Sequence, residues 1–283
     1  MTIISLIILA SIQALAELLP VSSSAHVILV GRFLGFDPTT PQGTFFLVML
    51  HTGTMFAVLF YFRKRWMEWL RRPVGGGWSL VIALVVATVC TGIFGGILKT
   101  AIEKLAFSGE GPHEIESLFG NLYLIAGSLF AAGTLILFSS RKDVVGGSPS
   151  VSVKQSVWIG IIQGLCLPFR GFSRSGATIS TGMLIGVSRM TAEDFSFALA
   201  VLVTPPVILR EVMRMSKEAA LTGEGINSSL LLPGFLGMVV SFIVGLFALR
   251  WLSAWLERGR WKYFGFYCIA LSVVVVAIRT FAG

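Results

Sequence analysis

Along most of the chain, apolar residues run without interruption for about twenty positions at a time, which is the length a helix needs to cross a hydrocarbon core. Six such stretches stand out, roughly 43 to 62, 79 to 98, 118 to 139, 193 to 213, 231 to 251 and 262 to 281. Two further apolar stretches, 3 to 35 and 153 to 187, are broken midway by clusters of Pro, Gly and Ser: Pro20-Val21-Ser22-Ser23-Ser24 and Pro168 through Gly176. Each half is too short to cross alone, so each stretch predicts a re-entrant helix-loop-helix hairpin. Irregular backbone at membrane depth survives only where protein or a water-filled cavity satisfies its polar groups, so both breaks are expected to face a cavity.

The two hairpins resemble each other. Ile12-Gln13-Ala14-Leu15 matches Ile162-Gln163-Gly164-Leu165 at an offset of 150, and Leu34-Gly35-Phe36 matches Ile185-Gly186-Val187 at 151, as Phe46 matches Phe197. Three full spans lie between the hairpins. That is an odd number, so the second enters from the opposite face, and the expected fold is an all-α integral membrane domain with six transmembrane helices and two re-entrant hairpins in an inverted-topology repeat. It would fill residues 1–283 as one domain, the first repeat at about 1–98 and the second at about 153–251.

Composition agrees: 55% of residues are hydrophobic and 13% charged, with a mean hydropathy of +0.84. A soluble domain carries about 25% charged residues. The formal charge of +8 comes from Lys and Arg in short loops, a distribution that orients a membrane protein and gives no reason to expect nucleic acid. Arg63, Lys64, Arg65, Arg71, Arg72, Arg141, Lys142, Lys154, Arg189, Arg250, Arg258, Arg260 and Lys262 fall on one side, which should be cytoplasmic. The other side holds fewer basic residues and Glu103, Glu110, Glu114 and Glu116. Both termini are then expected outside. Ala14-Leu15-Ala16 resembles a signal-peptide cleavage site, but no basic residue precedes it, so the segment is read as structure. Cys90, Cys166 and Cys268 lie in apolar stretches without metal-ligand spacing and read as packing residues.

Candidate chemistry gathers at the breaks. Gln13 and Glu17 are spaced i, i+4, on one face of a half-helix that ends at Pro20. An ionisable side chain at membrane depth is costly and usually functional. Ser22, Ser23, Ser24 and His26 follow within two turns, so a carboxylate, hydroxyls and an imidazole meet where the helix stops. That set can supply a metal ligand or base, a nucleophile and a proton carrier, although a serine run alone is more often a helix cap. The second break, Gly171-Phe172-Ser173-Arg174-Ser175-Gly176-Ala177-Thr178 with Arg170 upstream, offers hydroxyls, a guanidinium and free N–H groups at a helix start, a set suited to phosphate oxygens. His51 lies inside a span and reads more as a packed histidine than as a residue touching the site, the second reading staying open. Glu193-Asp194 and Arg210-Glu211 read as interfacial charges, and Trp66, Trp69, Trp251, Trp255 and Trp261 as an aromatic belt.

These two segments together resemble the bacitracin-resistance type of undecaprenyl-pyrophosphate phosphatase. Its first motif, Glu/Gln-x-x-x-Glu then Leu/Phe-Pro-Val-Ser-Ser and a nearby His, is matched by Gln13 to Glu17, Leu19 to Ser24 and His26; its second, Pro-Gly-x-Ser-Arg-Ser-x-x-Thr, by Gly171 to Thr178. Ser188-Arg189 and Phe195-Ser196-Phe197 extend the similarity along the chain. The resemblance implies that Glu17 and Gln13 serve catalysis or bind a divalent cation (Mg²⁺ or Ca²⁺), that Ser23 is the nucleophile candidate, and that His26 assists proton transfer. It implies further that Arg174, with Ser173 and Thr178, holds the pyrophosphate, Gln13, Ser22, Ser24, Gly171, Ser175 and Gly176 completing the phosphate site. The implied substrate is a polyprenyl pyrophosphate lipid and the implied location the bacterial inner membrane with the site opening outward; a homodimer is a possible assembly. Two positions depart from the motif: Gln13 replaces the commoner Glu, and Arg170 stands where the motif has Pro, beside a shifted Pro168. The rival expectation is a transporter or lipid flippase, because inverted repeats with broken helices are transporter architecture.

Overall fold

The computed structural model describes residues 2–37, 40–71, 77–106, 120–142, 147–222 and 230–282. Ten α-helices occupy them: α1 Ile3–Leu18, α2 Ser23–Leu34, α3 Pro41–Arg71, α4 Gly77–Ala106, α5 Leu122–Ser140, α6 Val153–Cys166, α7 Arg174–Leu184, α8 Arg189–Thr222, α9 Leu231–Glu257 and α10 Lys262–Ala282. Six of them are long and apolar enough to cross a membrane, over Gln42–Arg71, Gly77–Lys104, Leu122–Ser140, Arg189–Met213, Leu231–Glu257 and Lys262–Phe281. The chain is a multi-pass membrane protein. Helix α3 runs past the apolar stretch expected at 43 to 62, because no Gly or Pro stops it before Pro73. Arg72, Glu110, Glu114 and Glu116, used above for orientation, lie outside the described residues.

The order of helices is two short followed by three long, given twice. Helices α1 and α2, with 16 and 12 residues, and α6 and α7, with 14 and 11, form the pairs expected at 3–35 and 153–187. At 1.5 Å per residue each is roughly 17–24 Å long, short of the ~30 Å core. Both pairs end alike. Gly35 (φ +64) and Gly186 (φ +90) take left-handed backbone, and Phe36 N–H donates to Gly31 O at 2.8 Å as Val187 N–H does to Gly182 O at 2.9 Å. This is the six-to-one bond of a glycine helix stop, repeated 151 positions later.

By packing, the chain falls into two units. The first comprises Met1–Leu19, Ser23–Lys64 and Ala200–Leu252. Its core joins Leu6, Leu9, Ala10, Val27, Phe36, Phe46 and Leu50. Helix α3 lies against α9 so closely that a Cβ on Gly53 would sit 2.3 Å from Met238 O, and Ser241 Oγ of α9 donates to Ala10 O of α1 at 3.4 Å. On the outside, Phe56, Leu59, Phe60, Phe235, Met238, Val239 and Phe242 line an apolar groove of about 580 Å³.

The second unit comprises Pro20–Ser22, Arg65–Leu199 and Ser253–Gly283. Helix α4 packs on α6 through small residues: a Cβ on Gly160 would meet Ala87 O at 2.4 Å, and one on Gly164 would meet Thr91 O at 3.0 Å. Helices α5 and α10 touch in the same way, with a Gly133 Cβ placed 2.8 Å from Gly265 O. Small residues let membrane helices approach where lipid gives no hydrophobic drive to associate. The opposite face of α4 exposes Ile82, Val85, Val89, Ile93 and Ile97, a stripe suited to acyl chains. Thr91 Oγ1 donates to Gly160 O at 3.1 Å. Thr91 and Gly160 are each 150 positions from Ser241 and Ala10, so the bond that ties α9 to α1 in the first unit recurs between α4 and α6 in the second.

Two expectations change. Glu193 and Asp194 are not interfacial but buried, at 0% and 5% exposure. Arg65 Nη1 lies 3.5 Å from Glu193 and 3.1 Å from Asp194, Ser253 Oγ donates to Glu193 Oε1 at 2.6 Å, and Trp66 Nε1 donates to the Asp194 carbonyl at 3.3 Å. The charges go inside because an arginine and a hydroxyl meet them there. Trp261 is not in an aromatic belt: it is 1% exposed, its Nε1–H directed at Ser139 Oγ and Ser180 Oγ, each at 3.1 Å.

Candidate active site at the helix breaks

Helix α1 stops because Pro20 has no N–H to continue it; Leu19 N–H makes the last bond, to Leu15 O at 2.9 Å. The chain then turns through Ser22, which adopts φ +68 and is 4% exposed. A non-glycine residue in left-handed backbone is strained, and such positions persist where surrounding bonds over-determine them. Here the Ser22 hydroxyl donates to Arg170 O at 2.7 Å, tying the first break to the backbone of the second, and Cys268 Sγ reaches Pro20 O at 3.4 Å.

The turn delivers Ser23, the first residue of α2, back to α1. Ser23 Oγ donates to Glu17 Oε2 at 2.5 Å. A hydroxyl on a carboxylate at this distance is a strong, charge-assisted bond, and it is the pairing by which a base activates an oxygen nucleophile. The same Oε2 lies 3.7 Å from His51 Nε2, on α3. The other ring nitrogen, Nδ1, is 2.8 Å from Leu47 O. A carbonyl only accepts, so Nδ1 carries a proton and the Nε2 edge is turned to Glu17. Of the two readings open for His51, the structure favours the second: it lies in this cluster, and its one sequence signal is an imidazole inside an otherwise apolar span. Ser24 and His26 are half-buried on the first turn of α2. Glu17, at 18% side-chain exposure, and His51, at 39%, are reachable rather than sealed.

Gln13, one turn before Glu17, is fully buried, and neither its Nε2 nor its Oε1 has a hydrogen-bond partner. A buried polar group left unpaired costs about 1–3 kcal/mol, so this amide calls for a partner, a water or a ligand. Its counterpart Gln163, on α6, is 1% exposed and donates from Nε2 to Thr91 Oγ1 at 3.4 Å.

At the second break Ser173 caps α7, its Oγ accepting from Gly176 N–H at 3.3 Å. A Cβ on Gly171 would stand 2.3 Å from Ile125 O, so only glycine lets the loop lie on α5. Thr178 Oγ1 is 2.8 Å from Arg174 O and 2.6 Å from Ser196 Oγ, which makes it a brace for the first turn of α7. Ser175 Oγ is buried without a partner. Arg174, half-buried, opens the helix, where the positive dipole end adds to its own charge. Arg170 is exposed, and its carbonyl is what Ser22 holds. A carboxylate-activated hydroxyl and a cationic helix start are the parts that phosphoryl transfer needs.

Comparison with known proteins agrees with these motifs. The family model described as bacitracin resistance protein BacA matches residues 6–274. An undecaprenyl-diphosphatase 2 of Acinetobacter baylyi is 52% identical over 281 residues, 98% of either chain. An undecaprenyl-diphosphatase of Desulfosudis oleivorans is 34% identical over 96% of this chain and 97% of its own, and one of Thermus thermophilus 32% over 95% and 94%. The chain belongs to the BacA family of bacitracin resistance proteins.

Proposed function

We propose that this protein hydrolyses undecaprenyl pyrophosphate to undecaprenyl phosphate and inorganic phosphate, recycling the carrier lipid of cell-wall synthesis. The observation that carries the reading is the 2.5 Å bond from Ser23 Oγ to Glu17 Oε2 at a helix break, in a chain 52% identical to an undecaprenyl-diphosphatase 2 over its whole length. A carrier would have no use for an activated hydroxyl.

In this mechanism Ser23 Oγ attacks the terminal phosphorus while Glu17 takes its proton. The bond from that phosphorus to the bridging oxygen breaks, and the bridging oxygen leaves on the polyprenyl phosphate. Water then attacks the phosphoserine, releasing inorganic phosphate and restoring the hydroxyl. His51 holds the Glu17 carboxyl in place, and His26 carries a proton to the leaving phosphate. Arg174 and Ser175 bind the phosphate oxygens, since the Gly176 N–H and the Thr178 hydroxyl are already engaged. A divalent cation, Mg²⁺ or Ca²⁺, would neutralise phosphate charge. The chain's donors do not fit a resident one: among the described residues no three His, Cys, Asp or Glu side chains lie together, and Gln13 is neutral.

The hairpins are proposed to be re-entrant and oppositely directed, in the inner membrane, with both termini outside and the site open to the outer face. Basic Arg63, Lys64 and Arg65 at one end of α3 support that orientation. All named residues come from one chain, so a homodimer would pair complete sites.

Purified protein in detergent with Mg²⁺ should release phosphate from a polyprenyl pyrophosphate. No release, or release unchanged in Glu17→Ala and Arg174→Ala, would overturn the enzyme; lipid movement in proteoliposomes without release would favour the carrier. For orientation, Ser23→Cys in a chain lacking Cys90, Cys166 and Cys268 should react with an impermeant thiol reagent added outside.

A further inference from the structure

Thr178 Oγ1 stands between the second break and α8: it lies 2.8 Å from Arg174 O, 3.4 Å from Ser175 O and 2.6 Å from Ser196 Oγ. A hydroxyl has one proton and a carbonyl only accepts, so the Thr178 proton goes to the carbonyls and Ser196 is the donor to Thr178. The bonds run one way, from Ser196 through Thr178 to the backbone of Arg174. We infer that Ser196 is a positioning residue of the anion site, setting the first turn of α7 and with it the place of the Arg174 guanidinium. This rests on the phosphatase reading and names what holds its phosphate-binding arginine.

Three observations lead there. First, α7 does not fix its own start. It has 11 residues, below the length at which a helix is stable alone, and its cap bond from Gly176 N–H to Ser173 Oγ is long at 3.3 Å. Second, α8 offers a firm base. Ser188 Oγ accepts from Thr191 N–H at 3.3 Å in its first turn, and Glu193 and Asp194 are held by Arg65, Ser253 and Trp66 just before Ser196. The two helices meet at successive turns: a Cβ on Gly182 would stand 2.9 Å from Ala192 Cβ, and four residues along each helix Thr178 meets Ser196, which is 0% exposed. Ser196 thus spends its proton across the helix pair, where Ser128 of α5 spends its own on Leu124 O of the same helix. Third, the first repeat lacks this link. At the offset of 151, Thr178 and Ser196 correspond to Val27 and Phe45, both apolar, and Val27 joins the core of its unit. The hairpin fold therefore does without the two hydroxyls, and the repeat that carries Arg174 is the one that has them.

The test uses the detergent-purified full chain and a methylene-bridged, non-hydrolysable polyprenyl pyrophosphate, with the dissociation constant read by titration in the presence of Mg²⁺. Ser196→Ala should weaken binding about tenfold, within the coupling usual for residues of one hydrogen-bonded network. Ser196→Cys, close to serine in size and a weaker donor, should fall between the two. In an Arg174→Ala background, which itself should bind more weakly than wild type, Ser196→Ala should add no further loss, because it acts through that arginine. A general loosening of the fold would add to it. Ser196→Ala combined with Thr178→Val, which gives the link the apolar character of the first repeat, should bind no more tightly than Ser196→Ala. Unchanged affinity in Ser196→Ala and Ser196→Cys, an equal loss with and without Arg174, or wild-type affinity in the apolar pair would each overturn the inference, and each can occur while phosphate release by the wild type is normal. Unchanged affinity in Arg174→Ala would instead strike the phosphate-binding role of that arginine, and the inference with it.

Discussion

Ser23 and Glu17 face each other at 2.5 Å because the chain between them breaks at Pro20 and reverses through Ser22. An uninterrupted helix would put positions six apart about 120° apart around the axis and about 9 Å apart along it. The pairing is therefore a product of the break, and the strain at Ser22 is part of what makes it.

The first prediction is direct. Ser23→Ala and Glu17→Gln should each lower kcat about 10²–10⁴-fold, the usual contribution of a positioned base. The double variant should be no slower than the worse single one, since the two act as a unit. Phosphate release by all three proteins at saturating substrate checks it; additive losses would mean the two side chains act separately.

Ser22 should respond to backbone chemistry. Ser22→Gly loses the hydroxyl bond to Arg170 O but accepts φ +68 without strain, whereas Ser22→Val loses the bond and must hold a β-branched side chain in left-handed backbone. The expected gap between the two is about 1–2 kcal/mol, with glycine the more stable. Thermal unfolding in detergent reads it, and activity should fall in the same order because Ser23 is displaced with its neighbour.

In the proposed mechanism His51 positions Glu17 and does not touch substrate. His51→Ala should lower kcat several-fold with KM little changed, and His51→Gln, whose amide can still reach the Glu17 carboxyl, should recover part of the loss. Steady-state kinetics on both decide it; equal loss in the two variants would assign His51 to packing alone.

How much of this was legible beforehand follows from where each signal lies. In lipid an apolar run is itself the secondary-structure signal, so the six spans and the two short pairs were readable from sequence, and the Gln13-Glu17-Ser23 set lay within a dozen residues. Contacts between distant segments were not readable. His51 meets Glu17 from another helix, and Glu193 and Asp194 are buried against Arg65, 128 and 129 positions away. Trp261 is fixed by serines on two other helices. In each case a polar group looked interfacial or merely packed because its partner could not be seen along the chain.

That buried cluster yields a stability prediction. Arg65→Met removes the cation and leaves Glu193 and Asp194 buried without it, which should cost about 3 kcal/mol, the scale for breaking a buried ion pair. Ser253→Ala should cost about 1–2 kcal/mol through its single bond to Glu193. Thermal unfolding compares them; a milder effect of Arg65→Met would show that solvent reaches the pair.

The close approach of α4 and α6 can be tested with paired glycines on one unit. A Cβ on Gly160 would stand 2.4 Å from the Ala87 carbonyl, which is backbone and cannot rotate away, while one on Gly92 meets nothing within 4 Å. Gly160→Ala should therefore destabilise by about 1–3 kcal/mol, as overpacking does. Gly92→Ala should be neutral or stabilise by up to about 1 kcal/mol, because alanine loses less backbone entropy than glycine in a helix. The contrast isolates packing from helix propensity, since both substitutions add the same methyl to a helix interior. Because α6 leads into the loop that carries Arg170 and Arg174, Gly160→Ala should also reduce phosphate release at temperatures where the protein is still folded, and Gly92→Ala should leave it unchanged.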